Sequence, residues 1–452
     1  MDKIIYAPAT LIGNSGISVI RVCGKDVFRL ISRITTTQKD GYSAIDFDKV
    51  RTHTLHHCYI WDPESLEIID EVILSVFKSP YSYTGLDTAE ISCHGGVYIF
   101  SKISNLLRKS GAIPAEPGEF TRLAFLNGKI DLVQAEAVGE LIRAHSDATG
   151  KLSMKQLTGE FSAKISELRN ELINYCSLLE LELDFTEENI ELISKEELIR
   201  KIDIIIENIK RITDTYETGK IISNGINLAI VGKPNVGKSS IFNYLLNQSR
   251  SIVSEIPGTT RDYIKEPLII GDYHYNLIDT AGIRDSDDPI EREGVSLSKK
   301  ILESSDIIIH VREASEFVNN GMHSAPNVIN LYNKFDLIAD EDRRRFKGFL
   351  AISAKTGENM DILKNKIIDL TKKITKNDAT SDIIITNQRH RHCLLKSCEY
   401  LVKARELLIN NQGNELISFE VREAMRSISE IIGDVKNVDI LNNIFKNFCI
   451  GK

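Results

Sequence analysis

The sequence predicts a chain that is α/β plus all-α. An N-terminal α/β domain is followed by a helical domain, into which a P-loop domain with a doubly wound sheet is inserted. Three observations predict this. Residues 1–118 alternate short β-branched and aromatic runs with turns. From residue 119 apolar residues recur at helical spacing, and proline is absent between Pro117 and Pro234. Residues 219–376 then alternate apolar strands with helices, the pattern of a parallel sheet covered on both faces, and helical spacing returns over 377–452. The expected segments are therefore 1–118, 119–218, 219–376 and 377–452.

In the first segment "GISVIRV", "HTLHHCYIW" and "DEVILSVF" have the composition of strands, and "VYIFSKISNLLRKSG" reads as a helix stopped at Gly111. In the second, "ISELRNELINYCSLLELELDF" and "KEELIRKIDIIIENIKRI" each place apolar residues on one helical face. In the inserted segment, strands are expected at "INLAIV", "YNLID", "DIIIHVR", "NVINLYN" and "FLAIS".

Composition narrows the function classes. The 452 residues are 42% hydrophobic and 27% charged, as in ordinary globular proteins. No apolar run approaches the ~20 residues that span a bilayer, and no cleavable leader pattern opens the chain. The expectation is a cytoplasmic protein with no membrane partner. A net charge of −8 gives no overall basic signature for nucleic acid and leaves a local patch open. The seven cysteines are scattered without a C-x-x-C, which points to reduced thiols. "RHRHC" and "HHC" lack a second pair at ligand spacing, so they read as solvated or helix-face histidines, not as a zinc site.

The nucleotide motifs are stronger. "GKPNVGKS", Gly232 to Ser239, fits G-x-x-x-x-G-K-[ST] between a strand and a helix. Its glycines let main-chain N–H groups close around phosphates at a helix N-terminus. Asn235, Val236, Gly237, Lys238, Ser239 and Ser240 are the expected contacts, with Lys238 on the outer phosphates and Ser239 on Mg²⁺. "NKFD" supplies Asn333, Lys334, Phe335 and Asp336, and "SAK" supplies Ser353, Ala354 and Lys355. A carboxylate at Asp336 pairs with the N1–H and amine of guanine, and adenine offers the wrong donors. Thr260 in "GTTRD" is placed to complete Mg²⁺ coordination. "DTAG" supplies Asp279, Thr280, Ala281 and Gly282 near the γ-phosphate. Together these ordered motifs specify a Ras-like GTPase domain that binds GTP and Mg²⁺.

Ile283 follows "DTAG" where many GTPases carry a water-orienting glutamine, and an isoleucine cannot do that work. Glu291 closes the same stretch and is the candidate catalytic carboxylate. Asn235 is the candidate side-chain ligand for a monovalent cation that neutralises transition-state charge.

"SYTGLDTAEISCHGG", "PGEFTRLAFLNGKIDLVQAEAV", the GTPase motifs and the closing "FCIGK" together resemble the MnmE (TrmE) family of tRNA-modifying GTPases, over essentially the whole chain. The resemblance implies a homodimer with an N-terminal folate-binding and dimerisation domain. It also implies a partner, an FAD-dependent MnmG (GidA)-like protein that forms a hetero-oligomer with it, and tRNA as substrate. The pair would build aminomethyl or carboxymethylaminomethyl groups on carbon 5 of the wobble uridine. The one-carbon donor would be 5,10-methylene-tetrahydrofolate or 5-formyl-tetrahydrofolate. Potassium-dependent hydrolysis is implied, with K⁺ held by Asn235 and by the carbonyls of Ser254, Ile256 and Thr259. Glu255, Pro257, Gly258 and Thr260 complete that loop around the nucleotide. Glu291 would act through water. Arg21, Glu90, Lys129 and Lys452 match the folate positions, where a carboxylate suits pterin donors and cations suit the glutamate tail.

Two other readings keep the nucleotide site and change its purpose. A ribosome-assembly GTPase switch would be expected to carry a basic RNA-binding module, and no such run appears. A GTP-gated scaffold would need no folate site. Without the resemblance, Arg21, Glu90 and Lys129 read as ordinary strand-edge or surface charges.

Overall fold

A computed structural model of the chain describes residues 3–184, 193–249, 265–279, 305–317, 325–375, 383–434, 438–446 and 448–451. The chain clusters into two compact units. One comprises Met1–Gly139, Gln156–Glu171 and Ile428–Lys452; the other comprises Glu140–Lys155 and Leu172–Ser427.

The first unit is built on a seven-stranded sheet. Its strands are β1 (Ile5–Pro8), β2 (Ile17–Cys23), β3 (Thr35–Thr36), β4 (Thr54–Asp62), β5 (Glu67–Phe77), β6 (Thr88–His94) and β7 (Ile113–Pro114), in the order β3-β4-β5-β6-β2-β1-β7. Neighbours are antiparallel except β7, which runs parallel to β1. Helices α1 (Val27–Ile34) and α2 (Val97–Lys109) share a buried core with the sheet, into which Ile20, Val22, Ile91 and Cys93 point. Side chains alternate across a strand, so Arg21, Glu90 and Ser92 stand on the other face, half-buried. In this register Arg21 lies directly opposite Glu90.

After the sheet come α3 (Glu119–Leu126) and α4 (Leu132–Ile142). Phe125 and Leu132 from these helices cluster with Leu441 and Phe445 near the other end of the chain. The last described residues are thereby brought back to the first unit. Gly118 permits the approach: its φ is 69°, and a Cβ there would sit 2.6 Å from the Phe445 carbonyl oxygen.

The second unit opens its described helices with α5 (Asp147–Leu157) and α6 (Glu160–Asp184), both of which it shares with the first, then α7 (Lys195–Asp214) and α8 (Tyr216–Asn224). Ser194 caps α7 by accepting from the N–H of Glu197, and Leu198, Ile202, Ile205 and Ile209 form its buried stripe. A six-stranded sheet follows. Its strands are β8 (Ile226–Gly232), β9 (Lys265–Ile270), β10 (Tyr273–Asp279), β11 (Ile307–Glu313), β12 (Val328–Asn333) and β13 (Leu350–Ala351), in the order β13-β12-β11-β8-β10-β9. Five strands are parallel, and β9 joins antiparallel at the edge. Pro267 lies in β9, and an edge strand is where a residue without an N–H is tolerated. Helices α9 (Lys238–Ser249) and α10 (Met360–Ile374) cover one face, where Leu228, Ile230, Ile309 and Val311 meet Ile241, Leu245, Leu363 and Ile367. Each such burial contributes about 1.5–3 kcal/mol. Tyr275 is fully buried, and its hydroxyl meets Thr371 Oγ1 at 2.8 Å. Burial pushes that phenol up to about 12.

Among the described residues no helix is long and apolar enough to cross a membrane.

Candidate functional site

The first candidate centre lies at the carboxyl ends of β8 and β12. Gly232 ends β8 where a Cβ would lie 2.3 Å from the Val311 carbonyl oxygen, so the chain must turn away there without a side chain. Asn235 takes a left-handed φ of 62° and Gly237 one of 94°. The chain then enters α9 with Lys238 as its first residue. Lys238 Nζ donates to the Lys233 carbonyl at 2.9 Å, which folds the ammonium back over the loop it serves. Ser239 and Ser240 are exposed at the start of α9. The result is a turn of main-chain amides at a helix N-terminus, an arrangement that takes phosphate oxygens.

Asn333 ties this loop to the next two motifs. It is 3% exposed, so both ends of its amide need partners. Its Nδ2 donates to the Val236 carbonyl at 2.9 Å, and its Oδ1 accepts from the Ala354 N–H at 3.1 Å. A Cβ at Gly237 would fall 2.2 Å from that Nδ2, which is why glycine stands there. Ser353, fully buried, donates from Oγ to Asp336 Oδ1 at 2.6 Å and accepts from the Thr356 N–H at 3.2 Å. Among the described residues Asp336 Oδ2 has no hydrogen-bond partner, so a half-buried carboxylate is aimed and partly open. Lys334 adopts φ 65°, and its Nζ pairs with Glu313 Oε2 at 2.8 Å. Lys334, with help from Ser315, holds the Glu313 carboxyl below its usual range. Sequence reasoning missed Glu313; it stands at the end of β11, and only the register opposite Asn333 reveals it. Phe335 is buried beneath Arg343, whose guanidinium lies 4.6 Å from the ring centre. Lys355 is exposed beside Ala354. A cavity of about 560 Å³ borders the loop at Lys233 and Val236, floored by Val311 and Phe317.

Asp279 ends β10 opposite Ile230. Thr280, Ala281, Gly282, Ile283 and Glu291 lie outside the described residues, as do Ser254, Glu255, Ile256, Pro257, Gly258, Thr259 and Thr260.

The second candidate centre is on the open face of the seven-stranded sheet. Arg21 Nε donates to Glu90 Oε1 at 2.8 Å, and Arg21 Nη1 donates to the Gly451 carbonyl at 3.2 Å. The structure thus brings together two of the four expected folate residues. Lys129 is attached to the loop between β5 and β6, its Nζ donating to the Pro80 carbonyl at 3.0 Å. Lys452 lies outside the described residues. Tyr83 and Phe120 also pack against Arg21. They escaped the sequence reading although both sit inside the motifs quoted for the resemblance; aromatic residues there gave no sign of which charge they would face.

His94, at the end of β6, was assigned no chemistry from sequence. Its Nδ1 meets Asp70 Oδ1 at 2.6 Å, and its N–H donates to Asp70 Oδ2 at 2.8 Å. The Asp70 hydrogen bond, together with its charge, raises the imidazole above its ordinary value. Six cysteines are buried, and Cys449 is exposed.

Known proteins resemble this chain along its length. The family model described as the MnmE helical domain matches residues 132–449, and that for the GTP-binding protein TrmE N-terminus matches residues 4–129. The tRNA modification GTPase MnmE of Christiangramia forsetii is 39% identical over 484 aligned positions, covering 100% of both chains. That of Thermoanaerobacter pseudethanolicus is 38% identical over 462 positions, covering 99% of each. That of Flavobacterium psychrophilum is 39% identical over 469 positions, again with 99% of each covered.

Proposed function

Because the chain belongs to the MnmE family and is a GTP hydrolase acting in tRNA modification, we propose that it depends on potassium and is paired with an FAD-dependent MnmG-like protein. Together they attach aminomethyl or carboxymethylaminomethyl groups to carbon 5 of the wobble uridine of certain tRNAs, with a reduced folate as the one-carbon donor. The protein works in the cytoplasm as a homodimer.

The observation that carries the reading is the Asn333 bridge, which joins the phosphate loop to the motif that holds the Asp336–Ser353 pair. Asp336 selects guanine, because Oδ2 accepts from the base while Ser353 holds Oδ1 in place. The amides from Asn235 to Ser240 take the phosphates, and Lys238 adds its charge. Ser239, exposed at the start of α9, and Thr260 would hold Mg²⁺. Asn235, exposed on a left-handed turn, would hold K⁺ with the carbonyls of Ser254, Ile256 and Thr259. The two cations supply positive charge against the negative charge that builds on the phosphates. Glu291 orients the attacking water through a second water, the task for which Ile283 has no polar group. Glu90, set by Arg21, accepts the pterin donors, while Lys129 and Lys452 attract the glutamate tail.

Mass spectrometry of wobble uridines tests the whole reading. Cells lacking this protein should lose the carbon-5 group, and the wild-type gene should restore it. Unchanged modification in those cells would refute it.

A further inference from the structure

Arg21 is surrounded by groups from four separate stretches of chain. Glu90 takes its Nε, and the Gly451 carbonyl takes its Nη1. Its guanidinium carbon lies 5.5 Å from the centre of the Tyr83 ring and 5.5 Å from that of Phe120. The two rings come from adjoining pieces that are themselves tied, since the Tyr83 hydroxyl meets Thr121 Oγ1 at 2.9 Å. Burial pushes the Tyr83 phenol above its ordinary value. The side chains of Arg21 and Glu90 are 14% and 24% exposed, so water screens this centre weakly.

An unrestrained arginine samples many rotamers. Here one planar fork must serve two acceptors at once, which it can do only if its plane is fixed. The ring faces attract the cation and restrict its plane. The acceptor at Gly451 is equally constrained. That residue has φ 96°, and a Cβ on it would lie 2.0 Å from the Pro8 carbonyl oxygen. Nearby, the Gly118 N–H donates to the Cys449 carbonyl at 3.4 Å. Among the described residues Glu90 Oε2 has no partner, so Arg21 orients this carboxylate without consuming it.

We propose that Tyr83 and Phe120 are positioning residues that act through Arg21, coupling the seating of residues 449–451 to the orientation of Glu90. Folate binding and tail seating are then one linked equilibrium. This rests on the folate reading above. Each event presents the guanidinium in the geometry the other needs, and linkage makes the benefit reciprocal.

The test uses the full chain, calorimetry with 5-formyl-tetrahydrofolate, and amide hydrogen exchange across residues 445–451. Tyr83→Leu should weaken folate binding about tenfold or more and expose the amides of 449–451 to exchange. Tyr83→Phe, which keeps the ring and loses the Thr121 contact, should lie much nearer wild type than Tyr83→Leu in both assays. Gly451→Ala, which leaves both rings unaltered, should free the tail and weaken folate binding by a similar factor. If Tyr83→Leu fails to fold, as thermal melting would reveal, Gly451→Ala decides. A freed tail with unchanged folate affinity in Gly451→Ala overturns the coupling, and so does a protected tail with lost affinity in Tyr83→Leu. A wild-type chain that binds no reduced folate overturns the folate reading instead. In that case loss of tail protection in Tyr83→Leu would still support the ring-to-tail link, and retained protection would overturn it.

Discussion

The base corner around Asn333 and the Arg21 corner are built in opposite ways. In the first, Asp336 and Ser353 are 17 residues apart, Asn333 and Ala354 are 21 apart, and the longest reach, from Asn333 to Val236, is 97. In the second, Arg21 reaches Glu90 across 69 residues and Gly451 across 430. A corner whose partners lie at the ends of strands in one sheet forms with that sheet. A corner that closes over such distances is completed by docking, so its order and its ligand are linked. The lesson is that the first site should fail by losing a single contact, and the second by losing a seat.

The largest expected break is at the base. Asp336→Asn should lower GTP affinity about 10²–10⁴-fold, because paired polar contacts in the pocket become mismatched. Affinity for xanthosine triphosphate should rise, since its 2-oxo group then faces an amide donor. Competition binding with both nucleotides measures this, and unchanged GTP affinity would remove Asp336 from base recognition.

Next comes hydrolysis. Glu291→Ala should lower kcat about 10²-fold or more while sparing GTP affinity, the mark of a group that acts in the transition state. Wild-type turnover should be clearly faster in K⁺ than in Na⁺ at equal ionic strength. Equal rates in the two salts would rule out the cation at Asn235.

Deleting 449–452 should sharpen the contrast between corners. Folate affinity should fall about tenfold or more while GTP affinity changes by less than about twofold, as expected for sites without shared partners. Parallel calorimetry with both ligands distinguishes them, and a collapse of GTP binding would show that the corners are not separable.

A smaller effect concerns thiols. Burial pushes Cys58 up to about 12, and Cys93 and Cys176 up to about 11. Native alkylation near pH 8 should therefore label Cys449 first, and the remaining cysteines only after unfolding. Peptide mapping of the labelled protein reads this directly, and early labelling of Cys58 would contradict its burial.

The smallest is at His94. Its value is raised above the ordinary 6.5 by Asp70. The sign follows: its stabilising contribution is complete below about pH 6.5 and is lost as pH rises through the raised value. Exposure of the imidazole keeps the change slight. Asp70→Asn should return the imidazole to its ordinary titration, measured by NMR; an unmoved titration would acquit Asp70.

Legibility in the sequence followed the same divide. "GISVIRV", "HTLHHCYIW" and "DEVILSVF" became β2, β4 and β5, and "VYIFSKISNLLRKSG" became α2, because alternation and helical spacing are local signals. Strand β9 was not anticipated: Pro267 argues against a strand from sequence alone, and its pairing with β10 is decided only by the edge position. β6 was quoted as a motif without being read as a strand, since Glu90, Ser92 and His94 on its open face dilute the apolar pattern. Lys238 was readable because its motif's spacing places it just after β8, and Asn333 and Asp336 because theirs places them at the end of β12. Arg21 and Glu90 were readable only through resemblance. No spacing rule connects residues 69 apart, and none could have added Tyr83, Phe120 or the Gly451 carbonyl.

The 430-residue separation between Arg21 and Gly451 is also a delay. A ribosome adding about 5–20 residues per second needs about 20–90 s to travel between them. During that interval the emerging first unit has its sheet but not its seat, and the Pro8 carbonyl and the Gly118 N–H await strands of chain not yet made. The nucleotide domain, encoded in between, is finished earlier. A polypeptide released before residue 449 would lack the Gly451 carbonyl that Arg21 donates to, and its Arg21 corner would stay incomplete.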